Sequence, residues 1–563
     1  MSSYKATTIA LSVLAVAGIS YAVYFDYKRR NDATFRRKLR KEKKKVDKNV
    51  AQTKERESSD AVAASGVNTE SLKEALQKIR EEDSPTTTDE REHYFMSQVG
   101  IGEQLATQGP AYHLPAALSF FRALRVYPAP VELIMIYQKT VPPPIFAIVM
   151  ELTNLDAKSR AEGYFDHFPP ASMNVSVDSR KVVDVKGNVM ERKCLVAKKD
   201  FAAGDLIYTE EPVVATLDAD LEGKGTHCSY CLRAIQEATV IVSEASTHTS
   251  VFCSKECQVK AKSQFETLLF SLDPVLPSQL ATQTPETDQE ARKIAQTEYV
   301  DYVKKTTKNA PLLVAKLLGL QVEVEMSKLM AASKREPSAE IGSEDYSIYD
   351  HLERLRYLEV VPADEEHKLL SKVLEQAMPG LEQFITDERY AVMLGKMMYN
   401  SFGVCVGGGR DDRPASIHRP EDSERTRASC GTSRQHGSAF YQVSSYLTHN
   451  CTPSAQVAFQ SGTSELALLA SKDIKEGEEL TVTYVDVTQH EGEALADARR
   501  RRRVELARGW RFACTCQRCI VEARELEAES SEQTDDGVGQ MEDGSKVEKA
   551  VESFEQRQKG GLI

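Results

Sequence analysis

The chain has 563 residues and a net charge of -12, too long for one apolar core and too acidic overall for a general nucleic-acid binder. Its eleven cysteines are not spread as a disulfide framework. Eight are clustered, as metal sites are in a chain facing a reducing compartment. Two or three folded domains are therefore expected.

The first element in chain order is Ala6–Phe25, which carries no charge and no proline. As a helix it would run roughly 30 Å, one hydrocarbon core. Asp26-Tyr27-Lys28-Arg29-Arg30 and two further basic runs, Arg36–Lys41 and Lys43–Lys45, follow it. Positive charge resists translocation, so the bulk of the chain should stay in the cytosol. A cleaved signal peptide needs its basic cluster before the apolar run, and here it comes after. An uncleaved single-pass anchor of modest hydrophobicity suits the mitochondrial outer membrane, with the endoplasmic reticulum as the alternative.

Residues 26–88 form a basic, then polar, tether with one short helix near Leu72–Arg80. From Phe95 onward apolar residues recur at helical spacing: Phe95, Met96, Val99, Ile101 and Leu105, then Ala116–Leu124, then Leu133, Ile134 and Ile136, then Ile145, Ile148 and Val149. Gly109-Pro110, Pro128-Ala-Pro130 and Pro142–Pro144 punctuate them. Residues 90–158 thus form a small all-α unit of four or five helices.

Three segments carry a resemblance: Phe95–Gly109, Ala117–Pro128 and Tyr137–Ile145. With the anchor and its basic flank they make residues 1 to about 158 resemble the twenty-kilodalton presequence receptor of the mitochondrial outer-membrane translocase. That resemblance implies a tetratricopeptide-like fold whose shallow apolar groove takes the amphipathic helix of a targeting presequence. Carried over, the groove would be lined by Phe95, Met96, Val99, Leu133, Ile136 and Tyr137. Glu103 and Glu132 would face the ligand's basic side. The implied partners are mitochondrial precursor proteins and other translocase subunits.

A second block spans 172–521. Ala197–Asp205 is echoed by Ala470–Glu478. Each is flanked by apolar strands (Cys194–Val196 and Leu206–Tyr208; Leu466–Leu469 and Leu480–Tyr484), and each reads as a hairpin. Cys228-x2-Cys231 with Cys253-x3-Cys257 supplies four thiolates for a closed tetrahedral zinc site, leaving His227 and His248 unneeded. Cys514, Cys516 and Cys519 are one ligand short of a second zinc, and Cys451 is the obvious fourth.

Those features resemble SET domains of the SET–MYND type, as do Tyr446–Ser454, Gly477–Tyr484, Arg511–Cys519 and a helical stretch Tyr390–Val404. The fold class is therefore α + β multidomain: an anchor helix, an all-α receptor domain, then a β-rich SET domain with an inserted zinc finger at 228–257 and a helical segment. The resemblance implies methyl transfer from S-adenosylmethionine to protein lysines, with Tyr484 as the catalytic tyrosine. Thr448, His449, Asn450 and Lys193 would lie at the cofactor.

Two motifs depart from the family. The usual Gly-x-Gly reads Arg192-Lys193-Cys194, and the usual Asn-His-Ser-Cys-x-Pro-Asn reads Thr448–Ser454. Glycine lets a backbone approach a ligand closely, and these side chains stand in the way. Three readings stay open: a receptor with a degenerate SET module, an anchored lysine methyltransferase, or an artificial fusion joined near Asp156–Met173. Gly407–Gly409 lacks the Lys-Ser/Thr of a phosphate loop, and Arg499–Arg503 reads as a solvated helix face. Residues 522–563 are acidic and nearly free of aromatics, and are expected to be disordered.

Overall fold

A computed structural model describes residues 69–532, except 83–84, 86–87, 128–129, 184–188, 236–240, 243–249, 276–288, 335–345 and 415–422. Ala6–Phe25, the basic run, His248 and residues 533–563 lie outside the described residues. Among the described residues no helix is long and apolar enough to cross a membrane. The chain divides into two compact units between Glu162 and Gly163.

The first unit is all helical: α1 Thr69–Glu81, α2 Thr88–Ala106, α3 His113–Val126, α4 Pro130–Thr140 and α5 Pro143–Glu162. Its core gathers Leu72, Leu76 and Ile79 of α1 with Phe120, Phe121 and Leu124 of α3 and Ile145, Ile148, Val149 and Leu152 of α5. So α1 belongs to the folded unit rather than to a tether. Its core residues Leu72, Leu76 and Ile79 fall every three or four positions, and most of the other positions are charged or polar. Arg80 fixes its end by bonding the Asp156 carboxylate at 2.7 Å. Gly102 lets α2 pass close over α3: a Cβ there would meet the Phe120 ring at 3.0 Å.

The second unit opens with the short helix α6 Tyr164–His167, whose Tyr164 is buried in the main core together with Phe168. Strands β1 Val175–Val183 and β2 Val189–Ala197 form an antiparallel pair. β3 Leu206–Glu210 and β4 Val214–Leu217 follow. A finger comes next, with β5 Ile241–Val242 paired to β6 Val251–Phe252, and α7 Lys255–Ala261 behind it. Five helices make the helical segment: α8 Gln289–Thr306, α9 Ala310–Lys334, α10 Ile348–Arg354, α11 Asp364–Ala377 and α12 Asp387–Asn400. The remainder is β7 Phe402–Val404, β8 Gly437–Phe440, β9 Thr448–His449, β10 Ala455–Ala458, β11 Leu466–Ala470, β12 Thr481–Val482, α13 Leu495–Trp510 and α14 Gln517–Glu532.

The two expected hairpins do not fold back on themselves. β3 pairs with β11, and β11 with β10, in one three-stranded sheet. Val196 bridges Glu479 and Phe201 bridges Ile474. The two echoing segments therefore zip onto each other. Gly204 (φ 92°) and Gly477 (φ 79°) still make the turns. Each segment alone would leave an open strand edge, and the exchange closes both.

Two further expectations shift. Phe402–Val404 is a strand rather than the end of a helix, paired with β8, and β8 pairs with β4 on its other side. Helix α14 runs into the stretch read as a disordered tail. There Glu522 is buried against Arg502, so the arginine run is not simply a solvated face. Arg501 pairs with Glu493 at 2.9 Å. Gly407, Gly408 and Gly409 all take positive φ in a turn after β7.

Candidate metal centres and SET site

The first cysteine cluster is built where the chain crosses from β4 into the finger. Cys228, Cys231, Cys253 and Cys257 bring their sulfurs within 4.8 Å of one another. Cys231–Cys253 and Cys253–Cys257 each stand 3.6 Å apart. Four sulfurs about 2.3 Å from a tetrahedral zinc lie about 3.8 Å apart, so the donor set fits that ion. Ser254 caps α7 by accepting from the Cys257 amide at 3.2 Å, which fixes the fourth thiol. His227 stacks toward His436 with ring centroids 5.4 Å apart and lies outside the ligand set.

The second cluster joins Cys451 to Cys514, Cys516 and Cys519. Cys451 Sγ lies 3.8 Å from Cys514 Sγ and 3.6 Å from Cys519 Sγ. It ties the β9 segment to the start of α14.

Around the second cluster the SET motifs converge. β9 pairs with β12 in parallel, Thr448 opposite Thr481 and His449 opposite Val482. This brings His449 beside Tyr484, whose amide donates to His449 Nδ1 at 3.0 Å. Burial drives the His449 imidazole down to about 4, so it is neutral near pH 7. With Nδ1 accepting, the proton sits on Nε2, 3.4 Å from Cys451 Sγ, where it supports a thiolate.

Tyr484 is buried and its hydroxyl donates to the Leu447 carbonyl at 2.6 Å. Burial pushes its pKa up to about 12, with the Arg427 guanidinium pulling the other way. Trp510 flanks its ring at 5.1 Å. The Asn450 amide donates to Val482 at 3.0 Å, and its side chain accepts from the Thr452 amide.

The cofactor positions are occupied by groups that satisfy one another. Thr448 Oγ1 donates to the Glu479 carboxylate, and Arg192 pairs with the same oxygen at 2.7 Å. Cys194 is buried with its thiol raised by loss of solvent. Ser454 bonds back to the Glu479 carbonyl and the Thr481 amide. Lys193 is exposed, 4.9 Å from the Phe165 ring centroid. Thr448 and one Arg192 nitrogen are engaged by Glu479 and the Cys194 side chain stands where glycine would leave room, so these residues do not fit a methyl-donor pocket as they stand, even though Arg192 Nε is buried without a partner; no chemical step is routed through that donor.

In the helical unit the six groove residues separate into two sets. Leu133 and Tyr137 are core, and Phe95 and Val99 pack against that core, with Phe95 stacked on Tyr127 at 5.0 Å. Met96 and Ile136 are exposed, 64% and 49%. Ile101, read from sequence as part of the helical apolar pattern but not as groove, and Met135, which was not picked out, are also exposed. Burial, with a smaller push from the Glu103 charge, holds the Tyr137 hydroxyl well above its usual value.

Two family models match this chain. The MAS20 protein import receptor model covers residues 8–165, and the SET domain model covers 192–485. Mitochondrial import receptor subunit tom20 of Neurospora crassa is 41% identical over 150 residues, 27% of this chain and 78% of that protein. The chain belongs to the MAS20 import-receptor family and carries a SET domain.

The SET part matches histone-lysine N-methyltransferase SET5 of Saccharomyces cerevisiae at 26% identity over 380 residues, 64% of each protein. It matches protein-lysine N-trimethyltransferase SMYD5 of Homo sapiens at 33% over 96 residues, 17% of this chain and 22% of that one. Less than two thirds of either SET relative is therefore spanned. The MAS20 match ends inside Tyr164–Phe168, whose Tyr164 and Phe168 side chains are buried in the core of the second unit.

The sequence reading missed Arg427 and Glu479. Glu479 sits in the recognised Gly477–Tyr484 motif and could have been read as the partner of Arg192. Arg427 lies in a polar run and carries no signal of its own.

Proposed function

We propose that this protein is a presequence receptor of the mitochondrial outer membrane, held by Ala6–Phe25, with a zinc-stabilised SET module on the same cytosolic chain. The observation that carries this reading is the import-receptor likeness over 78% of a curated relative. Exposed Met96, Ile101, Met135 and Ile136 on α2 and α4 support it. Scattered apolar side chains on a surface are ordinary. Four on two helices, with Glu103 on the first of them, suit a shallow apolar seat with an acidic edge. A presequence would lay its apolar face there and its basic face toward Glu103. Shallow burial keeps the complex weak enough to release.

The test is cellular. The full chain should fractionate with mitochondria, resist alkaline extraction and be accessible to protease added outside the intact organelle. Recovery in the soluble fraction, or with the endoplasmic reticulum, would overturn the placement.

A second reading is favoured by Tyr484 alone: an anchored protein-lysine methyltransferase using S-adenosylmethionine, as the names of the SET relatives suggest. Such chemistry is mostly alignment for in-line transfer. In this chain Arg192 and Thr448 converge on Glu479, and our reading is that the module is closed to that donor. Calorimetry of the zinc-loaded full chain with S-adenosylmethionine should then give no micromolar binding. Heat saturating at one equivalent would restore the enzyme.

A further inference from the structure

Lys316, on α9, is 3% exposed. A lysine buried so deeply has given up its hydration and needs compensation. Its ammonium donates to the Ala215 carbonyl of β4 at 2.9 Å and to the Ser229 carbonyl of the finger at 3.4 Å. It also stands 4.5 Å from the centroid of the Phe265 ring. Gly319, one turn further along α9, permits this close fit: a Cβ there would meet Phe265 Cα at 3.0 Å.

The charges around Lys316 belong to the finger. Loss of solvent lowers its pKa, and the negative groups that oppose this are Glu222, Glu266 and Cys228. Glu222 accepts from the Ser229 hydroxyl at 2.5 Å, and Glu266 from the Ser250 hydroxyl at 3.1 Å. Ser229 follows Cys228, and Ser250 leads through β6 to Cys253. The Ser229 amide donates to the Val251 carbonyl at 2.7 Å, which joins the two arms. Lys316 thus lies at the base of the finger, where both ligand-bearing arms meet the core.

Four thiolates around a zinc ion leave two net negative charges. Cys228 is fully buried, and an anion held away from water is costly without a cation beside it. In the empty cluster the thiols can take up protons and lose their charge; with zinc bound they cannot. A fixed cation at this place therefore favours the metal-bound state over the empty one. Lys260 also acts on Cys257, but it is exposed and engaged by Glu256 at 2.9 Å, so solvent screens it.

We propose that Lys316 is the counter-cation of the first thiolate cluster, and that its charge sets how firmly the finger keeps zinc. The inference goes beyond the proposed function and rests only on its zinc-stabilised finger. A lysine serving merely as a packing post predicts otherwise, since replacing a buried charge by an apolar side chain of similar shape is often neutral or stabilising. Lys316→Met keeps the methylene contacts and removes the charge. Lys316→Gln removes the charge and keeps an N–H donor.

The experiment treats the zinc-loaded full chain in mild detergent with graded EDTA and a thiol-alkylating reagent, and maps alkylation by mass spectrometry. Peptides carrying Cys228, Cys231, Cys253 and Cys257 report the first cluster. Those carrying Cys451, Cys514, Cys516 and Cys519 report the second. In both variants, folded by circular dichroism in excess zinc, half-alkylation of the first cluster is expected at an EDTA concentration at least about ten-fold below that of the wild type. The second cluster should be unchanged.

Wild-type behaviour of the first cluster in Lys316→Met overturns the proposal. So does wild-type behaviour in Lys316→Gln, which would mean that the hydrogen bonds act and the charge does not. If only one variant folds, that variant decides. Equal loosening of both clusters, or failure of both variants to fold, means that Lys316 is a packing post, and the proposal falls. A wild type with no zinc at the first cluster would overturn the zinc reading itself, so the two failures are told apart.

Discussion

At the scale of single residues, the informative positions are those whose chemistry conflicts with their surroundings. Glu424 is one. Its carboxyl accepts from the Asn309 and Ala310 amides at 2.6 and 2.9 Å, at the start of α9. Loss of solvent outweighs those bonds and Lys308, and Asp218 adds to it, so its pKa rises to about 7. The unfolded value is about 4.3. Between the two the folded state holds more protons than the unfolded state. Stability from this group is therefore lost as pH rises through that window. Denaturant titrations at pH 5 and 8 should show the wild type losing more stability than Glu424→Gln. An equal loss would show that the carboxyl is ionised throughout.

Tyr484→Phe is the second residue-scale case. It removes a hydroxyl bonded to Leu447 inside the core. The expected loss is about 1 kcal/mol, because the carbonyl keeps a bond from Arg427. Chemical denaturation measures this, and a loss several times larger would mean that the hydroxyl organises the surrounding core.

At the scale of elements, what was legible in the sequence is what is local. Cysteine spacing located both four-cysteine clusters and found Cys451 as the distant member of the second, since zinc demands four donors. Helical periodicity found α2 to α5. α1 was underread because charge masks the spacing of Leu72, Leu76 and Ile79. Strand pairing was not legible: each hairpin-like segment has apolar strands and a glycine turn, and nothing local says that β3 chooses β11 over β2. Arg427 was invisible for the same reason, its partners lying on α12 and after β8.

The packing of α2 on α3 gives a direct element-scale test. Gly102→Ala places a methyl 3.0 Å from Phe120, a ring already held against Tyr137 at 5.1 Å. The expected cost is about 1–3 kcal/mol of stability in the helical unit. A thermal melt of the variant unchanged from wild type would mean that α2 stands further off.

At the scale of the whole molecule, two apolar cores serve two kinds of chemistry. Only one of them contains the thiolate clusters. Thermal unfolding of the full chain should show two transitions, and a strong chelator should lower only one, since structural zinc is folding energy. Metal analysis should find two zincs per chain, and one in Cys451→Ser. A chelator that shifts both transitions together would mean that the helical unit depends on the SET unit for its stability.

The central claim, that the helical unit is a presequence receptor, is tested most directly by fluorescence anisotropy. The full chain, held in detergent or vesicles, is titrated against a labelled amphipathic presequence peptide. Saturable micromolar binding is expected, weakened about ten-fold or more in Met96→Ser/Ile136→Ser, which alters two exposed side chains and so leaves the melting temperature unchanged. Absence of binding, or binding as tight to the double variant as to the wild type, would contradict the account.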